Sequence, residues 1–167
     1  MVPDPKVTMA QPANRPSPKA RQLWAINAAL MWVLPFAGQI VWAVIADDWT
    51  GWPHGVLFAA SALAAIVHIV GVPIWRYAVH RWEISDSAVY TRTGWFVQEA
   101  RIAPISRMQT VDTERGPIDR LLGLATVTVT TASSAGAVKI TALDYAVAER
   151  TAAQLTQIAS LHTGDAT

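Results

Sequence analysis

Gly116–Ala132 reads GPIDRLLGLATVTVTTA, and its two halves obey different periods. Pro117 suits the first turn of a helix, where its missing N–H would have no partner anyway. Gly123 suits the residue that ends such a turn in left-handed backbone. Beyond it, Val127 and Val129 alternate with Thr126, Thr128 and Thr130. That is the period of a strand with one buried and one solvated face. A helical turn running into an amphipathic strand predicts an antiparallel domain around this stretch.

The same grammar continues downstream. SSAGA turns the chain, with Gly136 fitting a hairpin, and VKITAL alternates again with Val138, Ile140 and Ala142 on one face. Asp144 is a good N-cap for a helix reaching Leu161. Ala148, Ala152, Leu155, Ile158 and Ala159 share one face of that helix, while Glu149, Arg150 and Gln157 can face water. Upstream, VYTRTGWFVQEARI (Val89–Ile102) reads as two short strands around a turn at Gly94. RMQTVDTE (Arg107–Glu114) reads as another. Its apolar residues Met108 and Val111 are three apart, so it carries a bulge or a mixed face. A sheet and one amphipathic helix bury their apolar sides only against each other.

The first half of the chain has another character. Charged residues make up 15% of the 167 residues, against about 25% in a typical soluble domain. The deficit is local, because nothing between Arg21 and Asp47, or between Asp48 and Arg76, is charged. Leu23–Ala46 would form a helix of roughly 36 Å, enough for a hydrocarbon core of about 30 Å. Pro35 is expected to kink it, and Asn27 and Gln39 are its polar exceptions. His54–Trp75 makes a second span. The small residues Ala60, Ser61, Ala64 and Ala65 would let the first span approach closely, and they also permit self-association.

Lys6, Arg15, Lys19 and Arg21 precede the first span, and Arg76 and Arg81 follow the second, whereas the loop between them holds two aspartates and no cation. The positive-inside rule therefore predicts a multi-pass cell-membrane protein with both termini cytoplasmic. Trp24, Trp75 and Trp82 fall near the inner boundary, and Trp42, Trp49 and Trp52 near the outer one. Residues 1–20, MVPDPKVTMAQPANRPSPKA, are rich in proline and small polar residues and are expected to be a disordered tail. The organisation expected is tail 1–20, hairpin 21–76, domain 77–162 and a short tail 163–167.

Several function classes lose support. Cysteine is absent, which removes disulfides, thiolate metal sites and cysteine nucleophiles. The net charge of +1 gives no reason to expect nucleic acid as a partner. His54 and His68 are 14 residues apart, roughly 21 Å along a helix, and cannot share a metal. An intramembrane histidine can be functional by default, but His68 can equally hydrogen-bond a polar group of the first span. No catalytic constellation, cofactor site or metal site is expected.

Three ordered features carry a resemblance: Tyr90, Arg92 and Gly94 (Y-x-R-x-G); Ile102–Val111 (IAPISRMQTV); and the opening stretch Gly116–Ala132. With the two spans before them and the closing helix after them, the chain resembles the bacterial pleckstrin-homology-like membrane protein family (DUF304, the YdbS/YdbT-like group). The resemblance implies a two-helix membrane hairpin plus an α+β pleckstrin-homology-like domain. That domain is a bent antiparallel sheet or barrel of seven strands in the full form, capped by a C-terminal helix. Trp75–Glu83 would have to supply the first strand. Members tend to occur as companion membrane proteins, so the expected partners are the bilayer and a second membrane protein of the same family.

Two sets of residues follow as candidates. Arg107, Gln109, Asp112, Arg115, Asp119 and Arg120 could form a partner-binding face, or simply solvate and orient the strand-to-helix turn. Lys19, Arg21, Arg76 and Arg81 would ring the inner membrane surface. There each cation gains about 1 kcal/mol from anionic headgroups, although setting the topology already explains them. From Arg76 onward nine cations match nine anions, so phosphoinositide capture is not indicated. The function expected is a non-enzymatic, membrane-anchored interaction module. The alternative is an anionic-lipid-sensing or envelope-stress protein.

Overall fold

The computed structural model describes residues 12–46, 51–132 and 136–164. The expected disorder of residues 1–11, the aspartate pair of the inter-span loop, the turn at Ser133–Ser134 and residues 165–167 of the C-terminal tail lie outside the described residues.

The first apolar run is helix α1, Ala20–Ile45. Its fixed-φ Pro35 lies inside the helix and leaves the Met31 carbonyl without its usual N–H partner. The second run is one continuous rod in three parts: α2 (Trp52–Ile66), a wider π turn (Val67–Gly71) and α3 (Val72–Val79). The π turn ends two residues before Pro73 and contains Ile69, whose carbonyl the proline ring would meet. In a regular helix the proline ring would collide with the carbonyl four residues back, and local widening relieves that clash. Both rods are long and apolar enough to cross a membrane, and only 11% of each apolar window is buried inside the protein. A core helix of a soluble protein would be covered, whereas Leu34, Ile45 and Leu63 stand open.

The helices lie against each other through paired polar and aromatic contacts. The Gln39 amide donates to Ser61 Oγ at 2.7 Å, and the Trp32 indole donates to His68 Nδ1 at 3.1 Å. Phe36 meets Phe58 edge-on at 5.4 Å, and Trp42 lies 4.1 Å from His54. Ala65, from the small-residue stripe, is buried.

After α3 the backbone becomes extended at His80 (φ −62°, ψ 122°). Strands β1 (Arg81–Ile84), β2 (Ala88–Thr93) and β3 (Glu99–Pro104) form one antiparallel sheet. A 3-10 turn, Ile105–Arg107, leads into the second sheet. That sheet holds β4 (Met108–Glu114), β5 (Leu124–Thr131) and β6 (Val138–Asp144), again antiparallel in that order. Helix α4 (Pro117–Leu122) joins β4 to β5, and α5 (Tyr145–Gly164) closes the chain. The core lies between the sheets and α5. Val89, Ala103, Ile105, Val127, Val129, Ile140, Ala148 and Leu155 all belong to it.

The expected helical turn is α4. The Asp119 carboxylate accepts from the Gly116 N–H at 3.0 Å, and Gly123 terminates it at φ 70°. The bulge expected near Met108 is a register shift between Met108 and Thr110.

Four expectations need correcting. The sheets form no closed barrel, and the described residues contain six strands in two separate sheets. Trp75–Val79 is helix, so only the end of Trp75–Glu83 is strand; the apolar rod keeps its backbone bonds satisfied until it reaches the sheet. In the sequence Leu121, Leu122 and Leu124 are expected to plug the end of the domain together; Leu124 is buried and Leu122 packs beside it, but Leu121, about a third of a turn away from Leu122 on α4, is 82% exposed. The threonine face of β5 is not solvated throughout, since central Thr128 is buried.

The tail also behaves differently from Asn14 onward. Asn14 exchanges backbone hydrogen bonds with Trp82 at 3.0 and 2.9 Å, covering part of the β1 edge. The Ser17 N–H donates to the Ala142 carbonyl and Ser17 Oγ to Asp144 Oδ1, both at 2.9 Å. Ala142 has φ 56°, in a β5–β6 ladder whose register shifts between Ala125 and Val127.

Candidate functional site

The open apolar surface of the two rods ends where α1 and α3 meet the sheets. Arg76 and His80 fall at i and i+4 around the end of α3 and therefore share a side, with Tyr77 one position further round. Trp24, on the second turn of α1, packs against Arg76 and His80. The Arg76 guanidinium lies 4.4 Å from the centre of the Trp24 indole, and the His80 ring lies 5.0 Å from it. Arg21 and Arg15 stand 5.1 and 6.0 Å from the Tyr77 ring. Trp24 itself is buried with Ala20, Leu23, Leu124 and Ala142 in a second, smaller core, against which Tyr77, Ile118 and Leu122 pack. This core fastens the first span to the domain.

Cation over ring is favourable because the π face is electronegative, and it gains further where water is excluded. The ring face stands beside Arg76 where a carboxylate would otherwise pair with it. Among the described residues no acidic side chain forms a salt bridge with Arg76. His80 is buried, and its Nδ1 has no hydrogen-bond partner. Burial first, and the adjacent Arg76 charge second, push its pKa down to about 4; a hydrogen bond to the Arg76 backbone opposes this without reversing it. The imidazole is therefore neutral at physiological pH.

The four cations expected at the inner surface are gathered at this collar, but three of them hydrogen-bond or stack on protein groups. Lys19 Nζ donates to the Leu122 carbonyl at 3.1 Å, neutralising an unpaired carbonyl at the end of α4. Arg76 lies on Trp24, and Arg81 donates to the His80 carbonyl at 3.1 Å. Arg21 is exposed apart from its Tyr77 contact.

The second candidate set is spread rather than clustered. Arg107 and Gln109 lie at one end of β4, and Arg115, Asp119 and Arg120 beyond the other. At about 3.4 Å per residue that is roughly 25 Å of strand. Arg115 Nε donates to the Leu124 carbonyl at 3.1 Å, and its guanidinium lies 4.1 Å from the Tyr145 ring centre. Asp119 caps α4, and Asp112 accepts from Thr110 Oγ1 at 2.9 Å. Arg107, Gln109 and Arg120 are exposed. Arg107 also lines a groove of about 490 Å³ with Arg101, Ile102, Thr131 and Val138, along the outer side of β3.

Sequence reasoning placed Trp24 in an interfacial belt and missed Tyr77, His80 and Ser17. The i, i+1, i+4 set at Arg76, Tyr77 and His80 was the available signal for the first two. Nothing local to Ser17 marks its partner 127 residues away. No group of three or more His, Asp or Glu among the described residues could hold a metal ion.

A bacterial PH domain family model matches residues 23–159. The UPF0699 transmembrane protein YdbS of Bacillus subtilis (strain 168) is 31% identical over 157 residues, covering 93% of this chain and 98% of that protein. No solved structure matches the chain.

Proposed function

The chain belongs to the bacterial PH domain family, and from that membership we propose that it is a membrane-anchored, non-enzymatic interaction module whose domain binds a second membrane protein of the same family. The observation that carries this reading is the outer strand β3. It pairs only with β2 among the described residues, nearly all its residues are exposed, and Ile102 stands half open beside the groove that Arg107 lines. An edge strand presents unpaired backbone groups along one side, and a neighbouring groove adds side-chain selectivity. The collar supports the reading by holding this edge at a set distance from the bilayer.

Tagged full-length protein purified from its own membranes in mild detergent is expected to retain a stoichiometric second membrane protein. Ile102→Asp with Arg107→Glu is expected to release it. Recovery of the chain alone in several mild detergents counts against the module. Anionic lipid retained in its place, enriched over bulk membrane, favours the lipid-sensing alternative.

Orientation is tested separately. With both termini cytoplasmic, a single cysteine at Gly51 is expected to react with an impermeant reagent applied outside, and one at Thr113 is not. The chain contains no cysteine of its own, so each label reports one position. Reversed labelling would turn the domain and its partner to the other side of the membrane.

A further inference from the structure

The β2–β3 turn is the most apolar exposed feature of the domain. Phe96 is 85% exposed, Val97 68% and Trp95 48%. Three adjacent large apolar side chains at the tip of a hairpin gain nothing from water and contribute nothing to the core. The turn is nonetheless well built. Gly94 takes φ 107°, and a Cβ there would collide with the Val97 carbonyl, so the tip has room only for glycine. The Arg92 and Gln98 side chains are hydrogen-bonded across its stem, and the Trp95 and Phe96 rings stack obliquely at 5.9 Å.

The turn also has a fixed height relative to the spans. The Trp75 indole N–H donates to the Trp95 carbonyl at 2.9 Å. Trp75 follows Ile74 at the end of the open apolar surface of the second rod, and both are more than half exposed. The next residue, Arg76, already belongs to the collar. The Trp32–His68 pair sets the antiparallel register of the rods, which brings Trp75 level with Ala25, next to Trp24 where the domain begins to cover α1. Trp75 therefore marks the level at which the open apolar surface of both rods ends, and the turn is tied to it.

We propose that Trp95, Phe96 and Val97 are a third membrane contact, inserted into the headgroup–acyl boundary of the leaflet that the domain faces. Indole rings favour that layer because it offers both apolar surroundings and hydrogen-bond partners, and apolar side chains of surface-lying segments reach about 5–10 Å into it. With the two spans, the turn makes a tripod that fixes how the domain leans. The inference rests on the rods lying in a bilayer, and it is independent of any protein partner.

The test uses full-length protein in phospholipid nanodiscs, with single cysteines at Phe96, Leu34 and Thr113 carrying nitroxide labels. Oxygen partitions into the acyl region and a nickel chelate into water, so their relative collision rates report depth. The label at 96 is expected to favour oxygen, approaching the label at lipid-facing Leu34 and differing from the one at exposed Thr113. A water-like signal at 96 with a lipid-like signal at 34 overturns the inference and leaves the spans intact. Protection of 96 from both reagents also overturns it, because protein would then cover the turn. A water-like signal at 34 removes the bilayer reading together with the inference.

Discussion

Trp24→Ala is expected to destabilise the protein by about 3–5 kcal/mol, the usual loss for truncating a buried tryptophan. For a chain of this size that lowers the melting temperature by about 10 °C. Three contacts fail together. The small core of Ala20, Leu23, Leu124 and Ala142 gains a cavity, Arg76 loses the ring beneath it, and His80 loses its aromatic neighbour. Trp24→Phe keeps a ring for Arg76 and is expected to recover about half the loss. Thermal unfolding of full-length protein in detergent, followed by circular dichroism, measures both. If Trp24→Ala melts with the parent, the collar is an ornament of the spans and does not fasten them to the domain.

Acid sensitivity is the second large effect. The folded-state pKa of His80, about 4, lies below its ordinary value near 6.5. Between those values the unfolded chain binds a proton that the folded chain refuses. The stability linked to His80 is therefore complete above about pH 6.5 and is lost as pH falls toward 4. Between pH 7 and pH 5 the loss is on the order of 2 kcal/mol. Carboxylates also titrate at the lower end of this window, so the useful quantity is the difference between the protein and His80→Gln. That difference is expected to shrink by the stated amount on acidification. Parallel stability curves for the two proteins would show that the imidazole is solvated in the folded state.

Much of the domain was legible because its periods are local. The Val–Thr alternation of β5, the Pro117 and Gly123 boundaries of α4, and the bulge beside Met108 are each written within a few residues. The apolar spans were legible for the same reason, although the π turn ahead of Pro73 was not read. What escaped is long-range. Asn14 and Ser17 look like linker residues until Trp82, Ala142 and Asp144 meet them. Lys19 and Arg76 stand in the sequence as topology-setting cations with a candidate headgroup contact, because charge near a span usually serves one or the other. Their contacts with Leu122 and Trp24 depend on how the domain folds back on the rods. The partner-face candidates dispersed because residues consecutive in sequence were assigned to one face, while an extended strand carries its two ends far apart.

A single residue, His80, separates the end of α3 from the start of β1. One residue supplies only two soft backbone torsions, and here the side chain between them is buried. The Asn14 bridge to Trp82 holds the start of β1 from its other edge. The second rod and the first sheet therefore turn as one lever. Spans accommodate a thinner or thicker bilayer by tilting, and in this molecule such a tilt swings the outer edge of the domain through the same angle.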